Sequence, residues 1–337
     1  MVVTSSEIVI AAGSLAGAIV PPRADRERVA VLSQEGAKEP AHQVRSGLAA
    51  AGLRAEIIMV PDGEEAKTID VAGKIYAQLN ALGLTRADTL VAVGGGAVTD
   101  VGGFVAATYL RGIEAVYCPT TLLGAVDAAI GGKTGINVGG KNLVGVFSHP
   151  SRIIIDIEVL DRLPADLRRQ GMAEALKAGL VADARLVDLL ERDGLDADTG
   201  EVVERAIAVK NTVVAEDYRE ESRRAILNYG HTVGHAVEVV AGVSHGEAVA
   251  IGMVAAGAAS ALVTGFEDQD RQRAIIERLG LPTSAVFDFD PVRQLIDLDK
   301  KRDSSGVRMV LLEAIGRPVV HPVDDEIIAL AIAAIAG

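Results

Sequence analysis

The residues best able to do chemistry fall in three groups, and the first is built on glycine. Thr89 to Phe104 reads TLVAVGGGAVTDVGGF, an apolar β-branched run entering Gly94, Gly95 and Gly96 and then a helical stretch with Thr99 and Asp100. Glycines let the backbone approach a pyrophosphate closely, and the free amides and dipole at a helix start favour its negative charge. The pattern is not GxGxxG, and a Gly-rich turn from strand to helix is as often structural as ligand-binding. The second group, Pro119 to Asn142, sets Asp127, Lys133, Asn137, Lys141 and Asn142 among glycines and apolar residues. Once buried, each must find a partner or a ligand. Two lysines and an asparagine suit phosphate and an aspartate suits hydroxyls, so a phosphorylated or polyhydroxylated ligand is expected. In the third group Arg224, Asn228, His231 and His235 follow at spacings of four, three and four, which puts them on one helical face lining a polar cavity. His245 in SHGE and Glu174 in GMAEALK could complete a His/His/Glu metal site with an open position. HTVGH lacks the glutamate that a zinc protease places after its first histidine, which argues against that class. Lys210 and the Lys300-Lys301 pair read, each alone, as surface charges.

These groups need elements to hold them. Strands are expected at Arg28–Leu32, Ala55–Val60, Thr89–Val93, Ala115–Cys118 and Arg152–Asp156, with helical spacing at Ala41–Ala51 and Ile69–Leu82. Alternation of this kind predicts a parallel sheet with crossover helices. From about Leu163 to Leu281 the chain turns to Ala, Leu, Glu and Arg at a 3.6-residue period, which reads as consecutive helices. A hairpin over Val307–Leu312 and Pro318–His321, turning at Gly316, then precedes a last amphipathic helix from about Asp324. The expected fold class is α/β plus all-α. Residues 1–162 would form the α/β domain, which carries the Gly-rich turn, and residues 163–337 the mainly helical domain, which carries the histidines.

Composition narrows the function further. The 337 residues are 49% hydrophobic and 23% charged, enough for a sizeable core. With 33 basic against 46 acidic residues the net charge is −13, so nucleic acid and anionic membrane are not expected partners. Aromatic residues make up 3%, too few for a base-stacking platform. Cys118 is the single cysteine and MVVTSSEIVIAAGS lacks the basic and apolar regions of a leader, so a reducing cytoplasm is expected. Ala248 to Phe266 carries no charge over 19 residues, but its Ala and Gly content and its flanking Glu247 and Glu267 mark a buried helix and not a membrane span.

Taken in order, GGGAVTD, ATYLRG, PTTLLGAVDAAIGGKTGIN, GKNLVG, GMAEALKAG, LNYGHTVGHAVE, HGEAVAIGM and DKK resemble the 3-dehydroquinate synthase family of sugar-phosphate cyclases, from about Pro61 to Gly316. That resemblance implies a Rossmann-like nucleotide-binding domain over residues 1–162 and a mainly helical metal and substrate domain over residues 163–337, in a lyase with NAD and a catalytic zinc, which Co2+ can replace, assembled as a homodimer. It assigns the metal to Glu174, His231 and His245 and leaves His235 to face the substrate. It implies substrate contacts from Asp127, Lys133, Asn142, Lys177, Lys210, Arg224, Asn228, His235 and Lys300, with Arg111 reaching over from the partner subunit. NAD would sit on Glu64, Lys67, Gly95, Gly96, Asp100, Thr120, Thr121, Lys133 and Lys141; the Glu64-x-x-Lys67 pair would otherwise pass as an exposed i, i+3 ion pair.

The implied reaction turns 3-deoxy-arabino-heptulosonate 7-phosphate into 3-dehydroquinate by oxidation at C5, β-elimination of phosphate, reduction, ring opening and aldol closure. The chain departs from the family pattern at a Val138–Gly140 segment one residue short, at Tyr218 in place of a common Glu, at Arg162 and at Leu167. The nearest rivals are an aminodehydroquinate synthase and the deoxy-inosose and valiolone cyclases. More distant are metal-dependent alcohol and glycerol dehydrogenases, which would release NADH, and a non-catalytic relative that binds without turnover.

Overall fold

The computed structural model describes residues 5–17, 19–300 and 307–337, the side chains of Asp299 and Lys300 excepted. The chain divides into two compact units, Met1–Pro164 and Ala165–Gly337.

In the first unit the β-branched runs form a six-stranded, all-parallel sheet. Its strands are β1 (Glu7–Ala11), β2 (Arg28–Ser33), β3 (Arg54–Met59), β4 (Thr89–Gly94), β5 (Glu114–Pro119) and, after a small hairpin, β8 (Arg152–Asp156). Their order is β1-β8-β5-β4-β2-β3. Side chains alternate across a strand, and the two faces are covered differently. Val29, Val31, Val91, Val93, Val116, Cys118 and Ile154 point to a core closed by Ala41, Val44 and Leu48 of α1 (Lys38–Ala50). On the other face Leu32, Leu90 and Ala92 meet Gly102 of α3 (Gly96–Thr108), which follows α2 (Ile69–Ala81) in the chain. A methyl on Gly102 would come within 2.9 Å of Ala92 Cβ, so glycine sets how closely this helix lies on the sheet. The order reverses between β2 and β4, and in open α/β sheets ligands bind beyond the strand ends at such a point.

Three strands of this unit are not anticipated from sequence, β1 and the two of a hairpin, β6 (Lys133–Ile136) and β7 (Val144–Phe147). Gly135 faces Gly145 in that hairpin, where a Cβ on Gly145 would strike the Thr134 carbonyl. A short helix α4 (Ile157–Asp161), capped by Asp156, ends the unit's regular structure.

The second unit is helical, as the composition predicts: α5 (Ala165–Ala182), α6 (Ala184–Asp193), α7 (Thr199–Glu216), α8 (His231–Ala241), α9 (His245–Val263), α10 (Gln269–Arg278) and α11 (Phe289–Lys300). The expected hairpin, β9 (Arg308–Ala314) with β10 (Arg317–Pro322), and α12 (Asp325–Ala333) complete it. Helix α9 is the apolar segment noted above. It packs against α5, α8, α10, α12 and β9, and 72% of its most apolar window is buried, as a core helix requires. Small residues make that crowding possible: a Cβ on Gly252 would strike the Gly230 carbonyl at the head of α8, and one on Gly246 would strike the Gln170 backbone in α5.

Candidate functional site

Two constellations of side chains stand out, one in each unit. In the first, β4 ends at Gly94 and α3 begins with Gly95 at its N-cap, where no side chain caps the helix and no acidic residue occupies the first turn. An uncapped helix start of this kind presents amides and a positive dipole end to an anion. A Cβ on Gly95 would lie 3.3 Å from the Thr121 methyl, and the Thr120 amide donates to the Gly94 carbonyl at 2.9 Å, so the two strand ends are locked together. One turn into α3, Asp100 meets the buried ammonium of Lys67 at 2.6 Å. Burial pushes the Asp100 carboxyl up to about 6, with Lys67 opposing. Lys67 also donates to Asn142 and lies 3.9 Å from Glu64. Asn137 closes the network: its amide donates to the Lys67 carbonyl at 2.6 Å, its Nδ2 to Glu64 at 2.8 Å, and its Oδ1 accepts the Asn142 amide at 2.9 Å. The shortened Val138–Gly140 loop therefore still brings Asn142, in left-handed backbone at φ 58, against Lys67.

Lys133, Lys141 and Asn142 are exposed and Asp127 is half-buried, so burial is not what makes that loop polar. Arg111 is exposed and follows Leu110 in a pair of left-handed residues, φ 65 and 50. Arg162 and Leu167 lie on the surface.

In the second unit Glu174, in the middle of α5, is buried with its Oε1 3.3 Å from His245 Nε2 and 3.6 Å from His231 Nε2. His231 opens α8 and His245 opens α9. The start of α9 is fixed by a capping box, in which Ser244 and Glu247 satisfy each other's backbone amides. One ligand atom from each of Glu174, His231 and His245 lies within 4.8 Å of the others, and a carboxylate with two imidazoles suits zinc. The other ring nitrogens are engaged: His231 Nδ1 lies 3.2 Å from the Tyr229 carbonyl and His245 Nδ1 3.1 Å from Glu238. Lys177 reaches the second Glu174 oxygen at 2.5 Å. Burial opposes charge on Glu174, but Lys177 and the two histidines hold its carboxyl well below the usual range. Burial pushes His231 down to about 3, with Lys177 adding to the effect. Burial also works against charge on His245, yet the carboxylates of Glu174 and Glu238 raise it to about 9.

The single helical stripe expected for Arg224, Asn228, His231 and His235 is not what forms. Arg224 and Asn228 lie on a separate 3-10 turn, Arg223–Asn228, and Gly230, at φ 81, breaks the chain before α8 begins. His231 and His235 alone share a helix, their rings 4.9 Å apart, with His235 exposed. Lys210 is buried in α7 and is not the surface charge that it reads as alone. Arg224 is buried, its guanidinium donating to the Tyr218 carbonyl at 2.7 Å and its amide to Asp217 at 2.9 Å. Because the Tyr218 contact uses the backbone, the departure from Glu at that position leaves it intact. Lys300 is the last residue of α11 and its side chain lies outside the described part, as does Lys301. Sequence reasoning singled out neither Glu238 nor the role of Asp217, although Glu238 stands seven residues after His231, two turns along the same face.

The description "3-dehydroquinate synthase N-terminal" matches residues 57–170, and "3-dehydroquinate synthase C-terminal" matches residues 171–302. A protein of Thermobifida fusca named 3-dehydroquinate synthase is 44% identical over 99% of this chain and 94% of its own length. Among solved structures, a 2-epi-5-epi-valiolone synthase from Streptomyces hygroscopicus with NAD+ and Zn2+ bound superposes with a TM-score of 0.88 at 29% identity, covering 99% of this chain and 98% of that one. A 2-deoxy-scyllo-inosose synthase complexed with carbaglucose-6-phosphate, NAD+ and Co2+ gives 0.86 at 28% identity, covering 96% and 95%. The two constellations thus sit in a chain whose family descriptions cover residues 57–302, and the chain belongs to the 3-dehydroquinate synthase family.

Proposed function

We propose that this chain is a 3-dehydroquinate synthase, a carbon–oxygen lyase that converts 3-deoxy-D-arabino-heptulosonate 7-phosphate to 3-dehydroquinate and phosphate in the cytoplasm. The observation that carries the reading is the 44% identity, over 99% of the chain, to a relative of that name. The donor sets agree with it: an uncapped helix start with Lys67 and Asp100 beside it suits NAD, and Glu174, His231 and His245 suit zinc or cobalt. When bound, NAD supplies a reversible hydride acceptor for C5 and the metal the Lewis acidity that eases ionisation of the C5 hydroxyl.

The chain's own residues bind and orient. Glu64, Lys67, Gly95, Gly96, Asp100, Thr120, Thr121, Lys133 and Lys141 hold the nucleotide. The forked guanidinium of Arg224 takes the substrate carboxylate and Lys210 the hydroxyls near it. Asp127, Asn142, Lys177, Asn228 and His235 fix the remaining hydroxyls. Lys133, Lys300 and the partner subunit's Arg111 hold the phosphate and the charge it gathers as it leaves, while its own oxygen takes the C6 proton. Ring opening and aldol closure then ask only for orientation. This assignment makes the working assembly a homodimer.

The test is to give metal-loaded protein the heptulosonate phosphate and catalytic NAD, following phosphate, dehydroquinate and NADH together. Phosphate and dehydroquinate in equal amounts with no net NADH are expected. Net NADH without phosphate would instead mark a dehydrogenase, and turnover only of amino or carboxylate-free sugar phosphates would mark one of the sister cyclases.

A further inference from the structure

We propose that Glu238 is a positioning residue for the metal centre: by accepting a hydrogen bond from His245 Nδ1, it fixes the tautomer and ring orientation that aim His245 Nε2 at Glu174 and His231. The inference rests on reading Glu174, His231 and His245 as the metal ligands.

The ring of His245 is gripped at both ends, with Nδ1 3.1 Å from Glu238 Oε2 and Nε2 3.3 Å from Glu174 Oε1. A neutral imidazole carries one proton and one lone pair, and a carboxylate at Nδ1 places the proton there. Once the ring is neutral, as a metal ligand must be, it is the Nε2 proton that has gone, and the lone pair is on Nε2, inside the cluster. Glu238 is suited to the task because it is only 19% exposed and sits on α8, the helix that His231 opens. One helix thus delivers a ligand and the group that orients a second ligand on α9. His231 is treated differently, since its Nδ1 faces the carbonyl of Tyr229. A backbone acceptor fixes the tautomer without adding charge, whereas Glu238 also makes His245 the more basic donor.

A rival use of the same atoms exists. His235, Glu238 and His245 also offer ligand atoms within 4.8 Å of one another. An ion there would need the lone pair of His245 Nδ1, which the proton shared with Glu238 occupies, and its third ligand, His235, is exposed. The geometry favours positioning over a second ion.

The test compares the unsubstituted chain with Glu238→Ala and Glu238→Gln, all stripped of metal, by competitive zinc titration and by the visible spectrum of the Co2+-loaded proteins. Melting of the metal-free proteins checks the fold. One ion per chain is expected throughout. Glu238→Ala should bind zinc about 10–100-fold more weakly, the usual loss for an outer-shell partner, with altered cobalt bands. Glu238→Gln, whose amide oxygen still accepts from Nδ1, should recover most of the affinity and the original bands. Equal zinc affinity and identical cobalt spectra in Glu238→Ala would overturn the inference, as would a Gln variant no better than Ala. So would two ions per chain with only the second lost in Glu238→Ala. If the unsubstituted chain binds no zinc, the ligand triad itself is wrong, and that result is read before any variant is made.

Discussion

His245 Nε2 and Glu174 Oε1 lie 3.3 Å apart across 71 residues of chain, and what brings them together is the absence of side chains nearby. Gly246, next to His245, lets the start of α9 rest on the Gln170 backbone of α5, one turn before Glu174. Gly252, further along α9, lets the Gly230 carbonyl reach its backbone, and Gly230 immediately precedes His231. The glycines inside α9 are therefore the means by which three distant residues share one cluster.

Gly252→Ala tests that relationship. Its Cβ would meet backbone, which cannot swing aside, so the helices must separate. A loss of about 3 kcal/mol in stability is expected, at the upper end of overpacking costs. Urea unfolding measures it. Gly257→Ala is the control. Its Cβ would meet the end of the buried Gln272 side chain, at 2.8 Å, which gives way by loosening its hydrogen bonds with Tyr229 and Met253 at a cost of about 1 kcal/mol, and alanine's better helix propensity, worth up to about 1 kcal/mol, offsets much of that. If both variants lose equally, close backbone approach is not what α9 needs.

Removing a ligand and removing a substrate contact should look different. His231→Ala is expected to lose bound metal and activity together, whereas Arg224→Ala should keep its metal and raise the KM for substrate by about 100-fold, as for a charged hydrogen-bonding partner worth about 3 kcal/mol. Metal content by atomic emission, measured beside kinetics, separates the two. Full zinc occupancy in His231→Ala would show the ligand assignment to be wrong.

Much of this arrangement is legible in the sequence. The runs at Val29–Leu32 and Leu90–Val93 announce a buried parallel sheet because both their faces are apolar. The small-residue α9 is readable as core because it has few large apolar residues and is followed by Glu267 and entered through Glu247, where a membrane span would be flanked by Lys or Arg. Elsewhere the pattern misleads for definite reasons. The β6–β7 hairpin sets Gly135 opposite Gly145 in strands of only 4 residues each, so its β-branched residues never make a run long enough to read as a strand. The spacing from Arg224 to His235 fits one helix only if Gly230 is ignored, and its φ of 81 ends the fit. Lys210 reads as a surface charge because spacing alone does not reveal that α7 buries it. Glu238 is visible only once His245 has been placed, since 7 residues separate them and no motif links them.

The Lys67–Asp100 pair makes cofactor binding depend on pH. Asp100 titrates near 6, raised by burial, so below that pH its carboxyl is largely protonated. For a carboxyl with a raised pKa the folded state holds its proton more tightly, and its contribution to stability falls as pH climbs from about 4 to 6. Binding runs the other way, because hydroxyl and amide donors on the nucleotide bond better to the carboxylate. NAD affinity, measured calorimetrically, is expected to rise through pH 6 and level off above 7. Asp100→Asn should abolish that rise. A flat profile in the unsubstituted chain would remove Asp100 from the nucleotide site.

Asp217 should govern Arg224 from a distance. Its carboxylate accepts the amides of Arg224 at 2.9 Å, Glu221 at 2.9 Å and Ser222 at 2.8 Å, and those bonds lower it to about 2. A depressed carboxyl contributes stability above its unfolded pKa of about 4 and loses it as pH falls toward 2, so at neutral pH the contribution is complete. Asp217→Ala leaves three amides to water and frees the turn that carries Arg224. The expected result is a KM for the heptulosonate phosphate raised by roughly tenfold, the effect of one lost hydrogen bond of about 1.4 kcal/mol, with metal content unchanged. Asp217→Asn keeps a carbonyl acceptor in the same place and should fall between. Combining Asp217→Ala with Arg224→Ala distinguishes this from a general loosening of the fold: if Asp217 acts through Arg224, the double variant is no worse than Arg224→Ala alone, whereas additive losses would mean that the turn serves something else.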